Sequence, residues 1–323
     1  MTDPLASPAA AQQRLAPIIV TDPAHRGHDP AFDLDAGRTR QPRHERPARI
    51  DAIAATLGER GHLLHPAVRA EEAAITRVHD PAMVRFLREG YQAWREAGGG
   101  TVMLPDTHPS PRWAGGGRRS TSPLAEPGWW CFDTATPIVA GSYAAAQAAV
   151  DVAVTAADRL GDDARLAYAL TRPPGHHAGP DYFGGFCLLN PTAVAARRLS
   201  DRGRVAIVDI DVHHGNGTQD VFWRDPQVLY VSLHTHPDHQ FPYFSGFDDE
   251  EGAGPGRGTT RNLPLPPGTD DVDYLSVLRT AMELVAAFDP ATVVVSGGLD
   301  TAAADPIGQL ALTADGLAEV GRT

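Results

Sequence analysis

Short, almost unbroken apolar runs recur through the second half of the chain, at Leu166–Leu170, Val205–Val208, Val228–Leu233 and Val293–Ser296. They are rich in β-branched residues and too short for helices, so they read as strands buried on both faces. Between several of them lie helix-length segments, such as 191–202 and 270–288. Strands alternating with helices predict a parallel sheet joined by crossover helices. In the first half, PIIVT reads as a strand over Pro17–Thr21. Residues 47–60 carry Ile50, Ile53, Ala54 and Leu57 at helical spacing, with Pro47 at the start and Gly61 beyond the end. A second helix is predicted over 80–97, where Met83, Phe86, Leu87, Tyr91 and Trp94 form one stripe, and an Ala-rich helix over 137–160.

The polar stretches carry as much information. Residues 105–128 and 235–268 are rich in Gly, Pro and Ser or Asp, too long for idle connections, and read as rim loops. Residues 1–16 read as a loose N-terminal segment, and 17–323 as one α/β domain with no internal repeat and no dividing linker. Two cysteines, Cys131 and Cys187, exclude a disulfide framework and a thiolate zinc ribbon. No window is long and apolar enough to span a membrane, and the N-terminus lacks a secretory pattern. The balance of 28 Lys plus Arg against 40 Asp plus Glu, a net charge of −12, argues against nucleic acid as a partner. A cytoplasmic location is expected.

In open α/β sheets, sites form beyond the carboxyl ends of the strands. Three such ends here are unusually polar: TRPPGHHAG with His176 and His177, DIDVHHGNGTQD with Asp209, Asp211 and His213, and GGLDTAAADP with Asp300. A lone strand-end Asp is usually a cap, and a lone loop His is usually a surface group. The D-x-D-x-H-H run is different. Alternation places Asp209, Asp211 and His213 on one side of an extended segment and His214 on the other. No Lys or Arg lies between Arg204 and Arg224 to neutralise the carboxylates, so a cation is expected to do so. Two carboxylates and an imidazole leave an open coordination position, as in catalytic zinc sites, and ferrous iron or cobalt would fit the same ligands.

Together with GGFCLLN, these motifs resemble the signatures of the histone deacetylase superfamily, and RVHDPAMVRFL, DPAHRGHDP and PDHQFPYFSGFDDEEGAGPGRGTTRN resemble its acetylpolyamine amidohydrolase branch. The resemblance runs from about residue 17 to the end. It implies an arginase/deacetylase-type three-layer α/β fold with a central, mostly parallel sheet. It implies Asp211, His213 and Asp300 as zinc ligands, His176 and His177 as tandem catalytic histidines, Asp209 as the partner of His176 and Asn216 as that of His177. Gly185, Phe186 and Phe241 match the acyl-chain tunnel. Asp209, Asp211, His213, Ser232 and Leu233 match a structural potassium site, and Phe222, Asp225 and Val228 a second alkali-ion segment.

The implied reaction is zinc-dependent hydrolysis of an acetylated amine, of polyamine or acetyl-lysine type, to acetate and free amine. A homodimer is implied by the branch. Glu126, in the loop before Trp129 and Trp130, is a candidate acidic rim for a substrate cation, against its ordinary reading as a solvated loop carboxylate. The two tryptophans suit a substrate cation or a dimer interface equally. The family pattern continues past the Asp300 segment through a helix and a strand to a Gly-Gly-Tyr motif, whose tyrosine donates to the reacting carbonyl. The given sequence ends at Thr323, before that motif. The alternative expectation is therefore a catalytically impaired or non-catalytic zinc-binding member. A binuclear manganese ureohydrolase, which shares the fold, is disfavoured because it needs more carboxylates in this cluster.

Overall fold

In the computed structural model, which describes residues 17–34, 40–41, 43–161 and 164–323, the chain opens with β1 (Ile18–Thr21), the short β2 (Asp33–Leu34) and β3 (Arg40–Gln41), α1 (Pro47–Glu59) and β4 (Leu64–Pro66). It continues through α2 (Glu72–Thr76), α3 (Pro81–Glu96), α4 (Pro127–Trp130), α5 (Ser142–Asp158) and β5 (Ala167–Ala169). The second half holds α6 (Pro191–Leu199), β6 (Val205–Asp209), α7 (Asn216–Phe222), β7 (Val228–Thr235), β8 (Thr260–Leu265), α8 (Asp271–Phe288), β9 (Thr292–Ser296) and α9 (Ala314–Val320). The loose segment expected over 1–16 lies outside the described residues.

Local chemistry sets the helix starts. Asp80, Asn190 and Asp270 cap α3, α6 and α8 by accepting N–H bonds from the first turn, and Pro81 and Pro191 follow the first two caps. Among the described residues the long strands form two parallel sheets, β4-β1-β5 and β8-β7-β6-β9, beside the antiparallel pair β2-β3. Alternation in β6 and β7 divides the core. Val205, Ile207, Val228 and Tyr230 join a cluster with Val150 of α5 and Val194 of α6. Ala206, Val208, Leu229 and Val231 join one with Leu278, Ala281 and Val285 of α8. The result is helix, sheet, helix: the three-layer α/β fold. The Ala-rich α5 is buried along almost its whole length, because small side chains let it lie close between β1, β5 and α6.

Three sequence expectations need correction. The stretch 235–268 is not all loop, since it contains β8, and β4 was not anticipated. Both carry a proline, Pro264 and Pro66, and both are edge strands, where a missing N–H costs no ladder bond. The runs at β5 and β9 are also edges: Tyr168, Val293 and Val295 are exposed, so these strands are covered on one side rather than two. The loop 105–128 does lack regular structure over most of its length, and paired bonds between Met103 and Ile138 close its base.

Candidate active site

β6 ends at Asp209, which lies in register with Ser232 of β7 and Ser296 of β9. The residues after it do not continue as a strand. Side-chain carboxylates instead catch successive backbone N–H groups: Asp209 Oδ1 accepts from Asp211 (3.2 Å), Asp211 Oδ1 from His213 (2.9 Å), and Asp300 Oδ1 from Val212 (3.1 Å). Asx-type turns at Asp209 and Asp211, not strand alternation, therefore place Asp211 and His213, and the pairing of β9 with β6 brings Asp300 to them. Asp211, His213 and Asp300 each offer a donor atom within 4.8 Å of the others. His213 Nδ1 stands 3.0 Å from Asp211 Oδ1 and 3.1 Å from Asp300 Oδ2, while its Nε2 meets the Gln240 amide at 2.8 Å.

Gly298 makes room for this cluster. A Cβ there would fall 2.2 Å from Asp211 Oδ2 and 2.7 Å from Asp300 Oδ1. Burial pulls the His213 pKa down, but its bonds to Asp211 and Asp300 outweigh that and raise it to about 10. Burial and the Asp211 charge push Asp300 up; at Asp211, His176 and His213 overcome burial and hold the carboxyl down. Two half-buried carboxylates met by His176, His213 and backbone N–H groups suit a divalent cation, and the oxygen and nitrogen donors suit zinc.

The tandem histidines follow β5 and face this cluster, with His176 Nε2 3.8 Å from Asp211. His176 Nδ1 lies 3.0 Å from Asp209 Oδ2, which also accepts from the Tyr230 hydroxyl at 3.2 Å. His177 Nδ1 lies 2.7 Å from Asn216 Oδ1, and the two imidazoles are 4.1 Å apart. Their partners split their behaviour. Burial lowers the pKa of His176, but Asp209 and Asp211 more than reverse this and raise it to about 9. His177 has a neutral amide partner, so burial and the His176 charge keep it well below its ordinary value. Opposite shifts in two adjacent rings are how paired groups divide acid and base roles.

Relatives carry the same architecture. A family model described as a histone deacetylase domain matches residues 43–323. The chain belongs to that family. It is 39% identical over 292 residues to acetylpolyamine amidohydrolase 1 of Pseudomonas aeruginosa, covering 89% of this chain and 84% of that protein. It is 38% identical over 286 residues to the acetylpolyamine amidohydrolase of Mycoplana ramosa, covering 87% and 83%. The crystal structure of acetylpolyamine aminohydrolase from Burkholderia pseudomallei superposes with a TM-score of 0.89 at 33% identity, covering 95% of this chain and 89% of that one.

Around the deacetylase-family core, Phe241 stands edge-on to His177 with ring centroids 5.0 Å apart. Phe132, which sequence reasoning missed, stacks on Phe241 at 5.8 Å. Gly185 and Phe186 both adopt positive φ, and their N–H groups donate to Asp133 Oδ2 and Thr136 Oγ1. Glycine at 185 is required twice over, because a Cβ would also lie 2.2 Å from His177 Cδ2. Glu126 is ion-paired with Arg119, whose guanidinium lies over Trp130, so a substrate cation there would compete with an arginine.

Ser232 faces Asp209 across the β6–β7 register, with Leu233 next to it, and Phe222, Asp225 and Val228 span the turn from α7 into β7, where Asp225 pairs with Arg197. His214 turns away from the cluster into the core and meets Gln219 at 3.1 Å. Tyr230, Tyr182, Gln240 and Gly298 were not anticipated as site residues. Their weak signal was adjacency to the motifs, or a polar group inside an otherwise apolar strand. Among the described residues, no helix is long and apolar enough to cross a membrane.

Proposed function

We propose that this protein is a zinc-dependent deacetylase that hydrolyses the amide of acetylated amines to acetate and free amine. The observation that carries this is a half-buried Asp–His–Asp cluster, its donor atoms within 4.8 Å of one another, faced by two adjacent histidines of which one is bonded to a carboxylate and the other to an amide. Asp211, His213 and Asp300 would hold zinc, which would supply Lewis acidity toward the amide carbonyl and lower the pKa of water. His177, neutral and with Nδ1 engaged by Asn216, takes a proton at Nε2 from the attacking water. His176, kept charged by Asp209, stabilises negative charge developing on the carbonyl oxygen and supplies a proton toward the leaving amine. Phe241, with Phe132 behind it, and Phe186 grip the aliphatic stem of the substrate and exclude water.

A structural potassium ion at Asp209, Asp211, His213, Ser232 and Leu233 belongs to the same proposal, supported by the register that sets Ser232 against Asp209. The relatives named above are amidohydrolases, which favours turnover over a non-catalytic ion-binding role. Their names and the long connections over 105–126 and 236–259 favour small acetylated polyamines over acetyl-lysine in folded proteins. The test is acetate release by purified protein from acetylputrescine and from an acetyl-lysine protein, with and without a chelator. Chelator-sensitive turnover of acetylputrescine alone is expected. Equal cleavage of the protein substrate overturns the polyamine assignment, and chelator-resistant turnover overturns the zinc reading.

A further inference from the structure

The two histidine partners differ in a way that creates a problem for catalysis. Asp209 is a carboxylate, so either orientation of its head accepts from His176. Asn216 is an amide: turned one way it offers oxygen to His177 Nδ1, turned the other way it offers NH₂. In the second case His177 would keep its proton on Nε2, and the lone pair needed by a base would face the amide instead of the substrate.

A hydrogen-bonded chain beyond Asn216 settles the orientation. Asn216 Nδ2 lies 3.2 Å from the Tyr182 hydroxyl, and that hydroxyl lies 2.5 Å from Asp220 Oδ2. Asp220 sits one turn after Asn216 on α7, so the helix itself places both on one face. Tyr182 comes from the loop between the tandem histidines and α6, and its ring stands edge-on to Phe132 at 5.6 Å. Burial and the neighbouring Asp220 keep the phenol protonated. Burial raises the Asp220 carboxyl above its ordinary range while the Tyr182 bond pulls it back, and in this geometry the phenol donates to Asp220 Oδ2. Its lone pairs then face Asn216, which must meet them with its NH₂ group. Oδ1 is left for His177, whose proton is held on Nδ1.

We propose that Tyr182 and Asp220 are positioning residues for the deacetylase reaction: they lock the Asn216 amide and thereby fix His177 as the Nδ1–H tautomer, with Nε2 free as the base. This rests on the function proposed above. It gives a role to a tyrosine and an aspartate that touch neither the metal cluster nor the tandem histidines.

Tyr182→Phe removes the lone pairs that hold the amide. The expected result is a fall in kcat of about tenfold, the weight of one hydrogen bond in an orientation equilibrium, with KM unchanged. Adding Asn216→Asp should restore kcat to that of the Asn216→Asp single variant, because a carboxylate has no wrong face. A loss in the double variant that multiplies the two single losses overturns the proposal, as does a Tyr182→Phe enzyme with wild-type kcat.

A readout independent of turnover separates this from the functional reading. In ¹⁵N-histidine spectra, the His177 ring, assigned by its disappearance in His177→Gln, should show protonation at Nδ1 in the wild-type protein and a shift toward Nε2 in Tyr182→Phe. A protein inactive on every acetylated amine but showing this shift sinks the functional reading alone. A wild-type His177 protonated at Nε2, or an unchanged tautomer in Tyr182→Phe, sinks the positioning chain.

Discussion

Loading the Asp211–His213–Asp300 cluster with zinc should stabilise the fold, and Asp300→Ala should abolish that stabilisation at little cost to the empty protein. With free ion at a hundred times its dissociation constant, preferential binding to the native state contributes about 2.7 kcal/mol. An unfolding entropy of about 2.1 cal/mol/K per residue over 323 residues gives about 0.7 kcal/mol/K, so the melting temperature should rise by about 4 °C. In Asp300→Ala, the backbone N–H of Val212 loses its acceptor, worth about 1 kcal/mol. The like-charge crowding against Asp211 is relieved at the same time, and Asp211 keeps His213 at 3.0 Å. The opposing terms leave the metal-free melting point within about 2 °C of wild type, again from about 1 kcal/mol per lost bond. Calorimetry on chelator-dialysed protein, with zinc chloride then added back, measures both effects. A wild-type protein that does not respond to zinc, or an Asp300→Ala protein that responds fully, would refute the assignment of these three side chains as the ion's ligands.

Other expectations follow from the same geometry. Asp209→Asn keeps an acceptor for Tyr230 but removes the charge that holds His176 protonated, so kcat should fall by roughly 10²–10⁴; steady-state kinetics with an undamped kcat would count against His176 as the charged partner. Gly185→Ala forces a side chain onto a φ of 57° and against the His177 ring, and a displacement of about 1 Å there should cost about 10² in rate, read as a lowered kcat in protein of normal circular dichroism. His79 is buried between the Gly179 carbonyl (2.8 Å) and the Asn190 N–H (2.9 Å), which only a neutral ring can satisfy. Burial lowers its pKa from 6.5 to about 4. Below pH 6.5 the unfolded chain gains a proton that the native ring refuses, so stability present at neutral pH should be lost as pH falls from 6.5 toward 4, by up to about 3 kcal/mol at 1.36 kcal/mol per unit. Urea unfolding that is flat across that window would contradict a buried neutral His79.

The elements that were legible share a physical cause: their patterns record short-range effects. β6 and β7 are buried at every position, and largely apolar, because helices cover both faces. α3, α6 and α8 begin where Asp80, Asn190 and Asp270 can reach the first turn's free N–H groups. β4 and β8 were hidden because an edge strand tolerates Pro66 and Pro264, and proline reads as a breaker. β5 and β9 read as doubly buried because an apolar run does not record how many neighbours cover it.

At the site, sequence by itself determined which residue types stand at the carboxyl ends of β5, β6 and β9, and that two carboxylates without a nearby arginine or lysine call for a cation. Tertiary structure alone decided that Asp300 meets Val212 across 88 positions of chain, through the pairing of β9 with β6. It also decided the unlike partners of the adjacent His176 and His177, Asp209 and Asn216, and the ring of Phe132 behind Phe241. Coulombic and hydrogen-bond energies depend on distances of a few ångströms between side chains. Those distances are set by register and packing over the whole domain, which no local window of residues contains.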